Sequence, residues 1–306
     1  MKEYNIQFVA NYKRFVIISV VALSVILVAS LIMGVQLDIH FSGGAIITYS
    51  YQGQIDSAEF TRIAQDVTHS AIAVQQSTDF ATGMSTMVVS LPGTISLTTE
   101  QTSELTYGLQ AAFTGNNILV ESITNVSATM GREFLAKCLV AIAFAFVLMI
   151  AFIAFRFKRI GGFSAGVMSV VGLIHGVAVV FGVHVIFRIP ISGNFIAVVL
   201  AILGYSINDT IVIYDRIREN KKLYGESIAL PELVNRSINQ SLRRTINTTF
   251  STVAAMTVVA VVALIFSIDT ILTIAFPMIL GLLAGVYSSI CIAGPLWVRW
   301  RERAAG

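Results

Sequence analysis

The sequence predicts a polytopic α-helical membrane protein with six transmembrane helices and a small α+β (ferredoxin-like) external domain between helices 1 and 2. Three observations predict this fold class. Hydrophobic residues make up 56% of the 306 residues and charged residues only 12%, against about 45–50% and 25% in soluble domains. Six long apolar runs divide the chain. A single polar stretch, large enough for a compact domain, separates the first run from the other five.

The six apolar runs have the length of membrane spans, which need about 20 residues. They cover residues 15–37, 138–155, 160–187, 189–214, 245–268 and 270–298. The first is too long for a signal-peptide core and no A-x-A cleavage site follows it, so we expect it to remain as an anchor. The predicted division is 1–37 for the N-terminus and first span, 38–133 for the external domain, and 134–306 for spans 2 to 6, with a cytoplasmic loop at 215–244.

The distribution of Lys and Arg predicts the orientation of the chain. When the N-terminus is placed in the cytoplasm, all but four of the 20 Lys and Arg residues fall in cytoplasmic segments. The exceptions are Arg62, Arg132, Lys137 and Arg188. The positive-inside rule therefore predicts that both termini lie in the cytoplasm.

The polar stretch at 38–133 predicts a β-α-β-β-α-β order, the split-βαβ pattern. Its strand candidates are residues 45–51, 73–78, 84–91 and 118–126. Asp56 with Glu59, and Thr98 with Gln101, resemble capping boxes and predict helices that end near residues 71 and 113. The stretch holds no paired Ser/His or Cys/His site, so we expect it to bind or to do mechanical work, and we expect no enzymatic activity.

The cysteines and histidines indicate no metal or disulfide chemistry. Cys138 and Cys291 both lie in apolar runs, which favours buried free thiols. No Cys/His cluster has the spacing of metal ligands. The formal net charge of +3 does not indicate nucleic-acid binding. We therefore expect no cofactor, no metal and no nucleic-acid partner, with the lipid bilayer as the surroundings.

Asp209 is the one charged residue in the run at 189–214. A carboxylate inside a membrane span costs a few kcal/mol and tends to mark an ion or proton path. The alternative is a structural Asp that hydrogen-bonds neighbouring helices, supported by Ser206, Asn208 and Thr210. We favour the functional interpretation, in which Asp209 handles protons.

A polar-to-small stripe leads into the fifth span. Its members recur at helical spacings of three, four and seven residues, so they share one helix face. A guanidinium at the inner mouth of this stripe could reach a carboxylate one turn inside the fourth span. The alternative is plain positive-inside anchoring, which is the stronger interpretation for Arg243. The stripe comprises Arg244, Asn247 or Thr248, Ser251 and Ala255.

The third span carries two histidines and two pairs of glycines. His175 could relay protons, but a histidine without a facing acid more often hydrogen-bonds a neighbour, and His184 lies near the outer end. Glycines four residues apart allow close approach of helices. Such pairs occur at Gly162 and Gly166, at Gly172 and Gly176, and in the last span at Gly281 and Gly285.

Three segments resemble motifs of the SecF family, subunits of the bacterial protein-export machinery. The stretch GYSINDTIV at 204–212, followed by DRIREN at 215–220, is similar to the family's fourth-helix signature. The stretch SINQSLRRTINT at 237–248 resembles the next motif, and GVYSSI at 285–290 resembles the sixth-helix motif. The plan of six spans with an external domain after the first also matches, so the resemblance covers the whole chain.

The resemblance implies a function and partners that composition does not. Members of the SecF family pair with SecD, a similar six-span subunit, in an arrangement similar to resistance-nodulation-division transporters. The pair associates with the SecY-containing translocon in the bacterial cytoplasmic membrane. It helps unfolded preproteins across, drawing on the proton gradient. Carried over by position, the proton-handling aspartate corresponds to Asp209 and the arginine of the following helix to Arg244.

Two positions depart from the family pattern. The family often has Asp-Phe-x-Gly-Gly after the first span, where this chain has His40 in place of the Asp. It often has His-Asp in the third span, where Gly176 follows His175. Asp209 is then the only acid of the proton path within this chain. Two other functions fit the same plan: a proton-driven exporter of small amphiphiles, and a non-transporting assembly scaffold.

Overall fold

A computed structural model describes residues 6–68, 72–78, 84–92, 99–225, 227–266 and 268–305. The elements follow each other along one chain, with a 3₁₀ turn at Lys158–Ile160 and a π-helical turn at Ser288–Ala293. In chain order they are α1 Tyr12–Met33, α2 Ile39–Ser42, β1 Gly44–Tyr51, α3 Ser57–Thr68, β2 Ala73–Thr78, β3 Ser85–Pro92, α4 Thr99–Ala112, β4 Leu119–Val126, α5 Ala128–Arg156, α6 Gly162–Ile186, α7 Gly193–Tyr224, α8 Leu230–Ile265, α9 Asp269–Tyr287 and α10 Gly294–Ala305.

Six helical segments of the described chain are long and apolar enough to cross a membrane, as predicted. They are α1, α5, α6, α7, α8 and the continuous stretch Asp269–Ala304, which includes α9, the π-helical turn and most of α10. About half of the residues of α6 and α7 are buried within the protein, whereas few residues in the apolar parts of α1, α5 and α8 are buried. Those three helices therefore present their side chains to lipid or to a partner.

The helices extend beyond the apolar runs that predicted them. α5 begins at Ala128, where Ser127 caps it by accepting a hydrogen bond from the Met130 N–H, so residues 128–133 belong to the membrane helix and not to the small domain. The segment at 215–244, predicted to connect spans 4 and 5, is a helical hairpin, and its cytoplasmic location stays a prediction. α7 continues to Tyr224 and stops at Gly225, whose φ of 56° suits a residue without a side chain. α8 starts at Leu230 with a proline in its first turn.

The small domain has the predicted β-α-β-β-α-β order and one four-stranded antiparallel sheet with the strand order β2-β3-β1-β4. Asp56 caps α3 by accepting from the Ala58 N–H at 2.9 Å, as its capping motif predicts. Thr98 lies outside the described residues, so the second capping box stays a prediction. The two helices cover one face of the sheet and bury an apolar core that includes Ile47, Tyr49, Phe60, Leu105 and Leu109.

The small domain contacts the membrane helices through two short segments. The linker after α1 bonds to the segment before α7, with the Asp38 N–H donating to Ile191 O at 3.0 Å and the Ile191 N–H donating to Gln36 O at 2.8 Å. The edge strand β2 touches the start of α9, where the Gln76 N–H donates to the Asp269 carboxylate at 3.2 Å. The small domain therefore contacts the segment before α7 and the start of α9.

The predicted close approaches of the glycine pairs are confirmed for most positions. A Cβ on Gly166 would lie 3.0 Å from the Ile150 carbonyl oxygen of α5. A Cβ on Gly281 would collide with Ile202 of α7, and one on Gly285 would lie 3.3 Å from the Ser206 Cβ. Gly176 is the exception, because a Cβ there would meet nothing within 4 Å. Glycines therefore bring α5 against α6 and α9 against α7.

The N-terminal segment and α1 are held by residues from distant parts of the chain. The Asn235 side chain on α8 accepts from the Phe8 N–H at 2.7 Å, and Phe8 is buried. Further along, the Tyr287 hydroxyl donates to Phe15 O at 2.7 Å and accepts from Ser19 at 3.3 Å. These few polar contacts position an otherwise lipid-facing helix.

Candidate functional site

Asp209 lies on α7 and lines a cavity of about 380 Å³ between α7, α8 and α9. The Asp209 residue is only 7% exposed to solvent. The carboxylate accepts no hydrogen bond and forms no ion pair with any residue of the described chain. It is the one acidic residue among the described residues that line the cavity. A buried carboxylate without a protein partner and beside open space is unusual, since buried charges are normally paired.

Most of the predicted site residues face this same cavity. Ser206 and Asn208 lie on α7 within one turn of Asp209. On α8 all but one of the cavity-lining residues recur at spacings of three and four, which places them on one side of that helix. Among the predicted supporting residues, Thr210 does not line the cavity, because its hydroxyl points toward the π-helical turn. The α8 wall consists of Asn247, Thr248, Thr249, Ser251 and Thr252.

Arg244 lies one turn before this wall, and its backbone carbonyl accepts from the Thr248 hydroxyl at 2.9 Å. Its side chain is exposed and close enough to interact electrostatically with the Asp209 carboxylate. The two side chains form no ion pair within 4.0 Å. The role of Arg244 in the proton path therefore stays a prediction.

The two histidines of α6 are not among the residues that line the cavity. His175 is buried beside Tyr287, with their ring centroids 5.7 Å apart, and neither ring nitrogen has a hydrogen-bond partner in the described part of the chain. His184 places its Nδ1 2.9 Å from Val180 O. His175 lies outside the cavity lining, and its role as a relay stays a prediction.

A cluster of hydroxyl groups behind Asp209 was missed as a site in the sequence. Ser289 of the π-helical turn donates to Ser206 O at 3.2 Å, and its Oγ lies 3.1 Å from the Ser206 Oγ. The Thr210 hydroxyl donates to the Ser289 Oγ at 3.1 Å. The signal that could have indicated Ser289 is its place in an apolar run, where small hydroxyl residues bond across helices. The cluster fixes the α7 turn that carries Asp209 to the last helix.

The arrangement can hold and exchange a proton. The cavity has room for several water molecules, and its walls supply the polar partners that ordered water needs. Asp209 can therefore meet a proton donor or acceptor without first breaking a protein contact. Among the described residues no group of three or more His, Cys, Asp or Glu side chains could hold a metal ion.

Comparison with known proteins identifies the family. A family model described as the C-terminal part of the protein export membrane proteins SecD and SecF matches residues 108–303. The chain belongs to the SecD/SecF family. The matched residues include α5 to α9 and therefore every wall of the cavity around Asp209.

Curated SecD/SecF relatives match along nearly the whole chain. The protein translocase subunit SecF of Endomicrobium trichonymphae is 31% identical over 98% of this chain and 93% of its own length. The SecF subunit of Calditerrivibrio nitroreducens is 32% identical over 96% of this chain and 93% of its own length. The architecture of one small domain and six spans is therefore shared with proteins named as translocase subunits.

Two solved SecDF structures have the same fold. SecDF of Thermus thermophilus, a translocon-associated membrane protein, superposes with a TM-score of 0.78 at 27% identity and covers 98% of this chain. A crystal structure of SecDF in the super-membrane-facing form gives 0.70 at 28% identity over the full chain. This chain spans about 40% of the length of those SecDF chains.

Proposed function

We propose that this chain is a SecF-type subunit of a bacterial protein translocase that uses the proton gradient, together with a SecD-type partner, to assist preprotein translocation. The observation that carries the proposal is the Asp209 carboxylate, buried in a membrane span, without a protein partner and open to a polar cavity. Asp209 takes up and releases the proton, and both termini lie on the cytoplasmic side.

The energy available to such a site is sufficient. One proton crossing the membrane supplies about 2.3 kcal/mol per 100 mV and about 1.4 kcal/mol per pH unit. Since about 1.4 kcal/mol changes an equilibrium constant tenfold, one proton can shift a conformational equilibrium by more than two orders of magnitude. That shift is enough to drive one arrangement of α7 and α9 into another.

The path to the small domain runs through α9. The hydroxyl cluster of Ser206, Thr210 and Ser289 fixes α7 to the last helix, and the start of α9 touches β2 through Asp269. A change of tilt between α7 and α9 therefore reaches the small domain. The domain converts this motion into movement beside the emerging preprotein.

The proposal is tested by reconstitution of translocation. Membrane vesicles that contain the translocon, with this chain and its SecD-type partner added or omitted, are assayed for preprotein uptake with and without a proton gradient. The gradient is expected to accelerate uptake only when both subunits are present. Equal uptake in all vesicles, with both subunits correctly inserted, would refute the proposal.

Cross-linking is expected to join the cavity region to the partner subunit. Transporter sites of this architecture lie between two related repeats, and this chain supplies one. Tyr205 lines the cavity and is 47% exposed. In a chain whose Cys138 and Cys291 are replaced by Ala, Tyr205→Cys is expected to cross-link to the SecD-type subunit in native membranes. Leu139→Cys on α5, which is 57% exposed, is the control and is expected to give no such product. Equal products from both positions would argue against a specific interface.

Arg244→Ala is expected to reduce gradient-driven translocation several-fold. The substitution removes the cation that interacts with Asp209 at long range, so the balance between the protonated and ionised carboxyl changes. Arg243→Ala removes the same charge one residue earlier and is expected to have little effect. The measurement is the initial rate of preprotein uptake with a gradient at matched protein levels. Identical losses in the two variants would assign both residues to membrane anchoring.

A further inference from the structure

A second groove lies at the end of the bundle that carries most of the Lys and Arg residues. It forms where the turn between α5 and α6 meets α10, and it has a volume of about 450 Å³. It shares no lining residue with the cavity around Asp209. The groove residues used below are Lys158, Gly161, Phe163, Ser164, Trp300 and Arg301.

The groove carries two cations and, among its described lining residues, no acid. Lys158 stands on one wall, with its ammonium 4.4 Å from the centroid of the Phe155 ring. Arg301 stands on the other. Neither forms an ion pair with a described residue. The acid next to Arg301 in sequence, Glu302, is bonded instead to Arg299 at 2.8 Å. The groove therefore has an uncompensated positive charge.

The backbone beneath Arg301 is shaped to accept its side chain. Gly161 has a φ of 93°, and a Cβ there would lie 3.0 Å from the Arg301 Nη1. The neighbouring wall is fixed, because the Ser164 hydroxyl donates to Gly161 O at 2.8 Å and accepts from the Trp297 indole at 3.0 Å. The guanidinium thus rests on a rigid surface at the edge of the groove.

Aromatic and apolar surface continues from the groove along the membrane helices. Phe163 is 65% exposed and Phe155 73%, while Trp300 is partly exposed at the level where interfacial tryptophans are enriched. A ligand that fits the groove and this aromatic surface has an anionic head group beside the two cations and an acyl chain along the aromatic side chains. Charge complementarity and the apolar continuation together favour a lipid over a soluble anion.

We propose that this groove binds the phosphate head group of an anionic phospholipid, with Arg301 and Lys158 as the contacting cations. Arg301 can present two N–H groups to one phosphate, and Lys158 adds a point charge. The site lies away from Asp209 and does not depend on the proposed function.

The test uses the purified full chain in neutral detergent, mixed with equal amounts of phosphatidylglycerol and phosphatidylcholine, and native mass spectrometry to count the lipids that stay bound. Wild type is expected to retain phosphatidylglycerol preferentially. Since a hydrogen bond to a charged group changes an equilibrium constant about tenfold or more, the double substitution Lys158→Gln with Arg301→Gln is expected to lower that retention by at least about tenfold. Arg301→Lys, which keeps the charge but not the paired N–H groups, is expected to give a smaller loss.

The matched control carries Lys222→Gln and Arg303→Gln, which remove the same charge from exposed positions outside the groove lining. It is expected to retain phosphatidylglycerol as wild type does. Equal loss in the control would show diffuse attraction and overturn the proposal, as would unchanged retention in the groove variant. A third arm adds inorganic phosphate. Displacement of the lipid by millimolar phosphate would assign the groove to a soluble anion and overturn the lipid assignment.

Discussion

Asp209→Asn is expected to abolish the stimulation of preprotein translocation by the proton gradient while the chain still inserts and stays abundant. The amide has nearly the volume of the carboxyl and can bond the same waters, but it cannot bind and release a proton at physiological pH. Because the carboxylate has no hydrogen bond to a described residue, the substitution breaks no contact of the fold. Only the titrating group is lost.

The measurement for this variant is the ratio of uptake rates with and without a gradient at matched protein levels. Glu219→Gln is the control, since it makes the same chemical change near the end of α7 on an exposed side chain that pairs with Arg216. We expect a ratio near unity for Asp209→Asn and the wild-type ratio for Glu219→Gln. A wild-type ratio in Asp209→Asn would leave Asp209 as a structural polar residue.

Gly162→Ala is expected to lower the free energy of unfolding by about 3 kcal/mol, near the upper end of the usual range for overpacking. A Cβ on Gly162 would overlap the backbone of Ala154, lying 2.9 Å from its carbonyl carbon. The Ala154 backbone cannot relieve this overlap by a change of rotamer, as the end of a long side chain could. The tight turn between α5 and α6 must therefore open, and the packing of Gly166 against Ile150 loosens with it.

Gly204→Ala is the matched control for this substitution. Gly204 is exposed in the middle of α7, and a Cβ there would meet nothing within 4 Å. Alanine in an open helical position stabilises by up to about 1 kcal/mol relative to glycine. Unfolding of both variants in mixed micelles is expected to shift in opposite directions. A Gly162→Ala variant as stable as wild type would mean that α5 and α6 do not approach this closely.

The spans, the small domain and the position of Asp209 could be predicted because each has a strong local signal. A charge is conspicuous in an apolar run, and strand and helix patterns alternate clearly between residues 45 and 126. The Arg244 assignment had a weaker basis, since it rested on helical spacing along the fifth span and on a resemblance between motifs. The structure places Arg244 beside the cavity mouth without an ion pair, which spacing along one helix could not determine.

Other features could not be predicted because they depend on contacts between distant segments. The polar ends of α7 and α8 pack against each other, as when the Asn220 amide donates to Ser237 at 2.8 Å, and neither segment alone indicates this pairing. The π-helical turn has no sequence signature of its own. Ser289 was therefore noted only as part of the GVYSSI motif, and its hydrogen bonds to α7 were not predicted.

The contacts of α1 have a consequence for the order in which the protein is assembled. Phe8 finds its hydrogen-bond partner Asn235 only 227 residues later in the chain, and the Tyr287 hydroxyl that bonds Phe15 comes later still. At a synthesis rate of about 5–20 residues per second, the wait is roughly 10 to 45 s. During that time α1 is already made and its C-terminal end can bond to Arg188, which donates to Met33 O, but the partners of the N-terminal end do not yet exist. α1 can pack against α6 as soon as α6 is made, since Ile26 lies against Gly182, but its N-terminal end is held in place only after α8 and α9 have been synthesised.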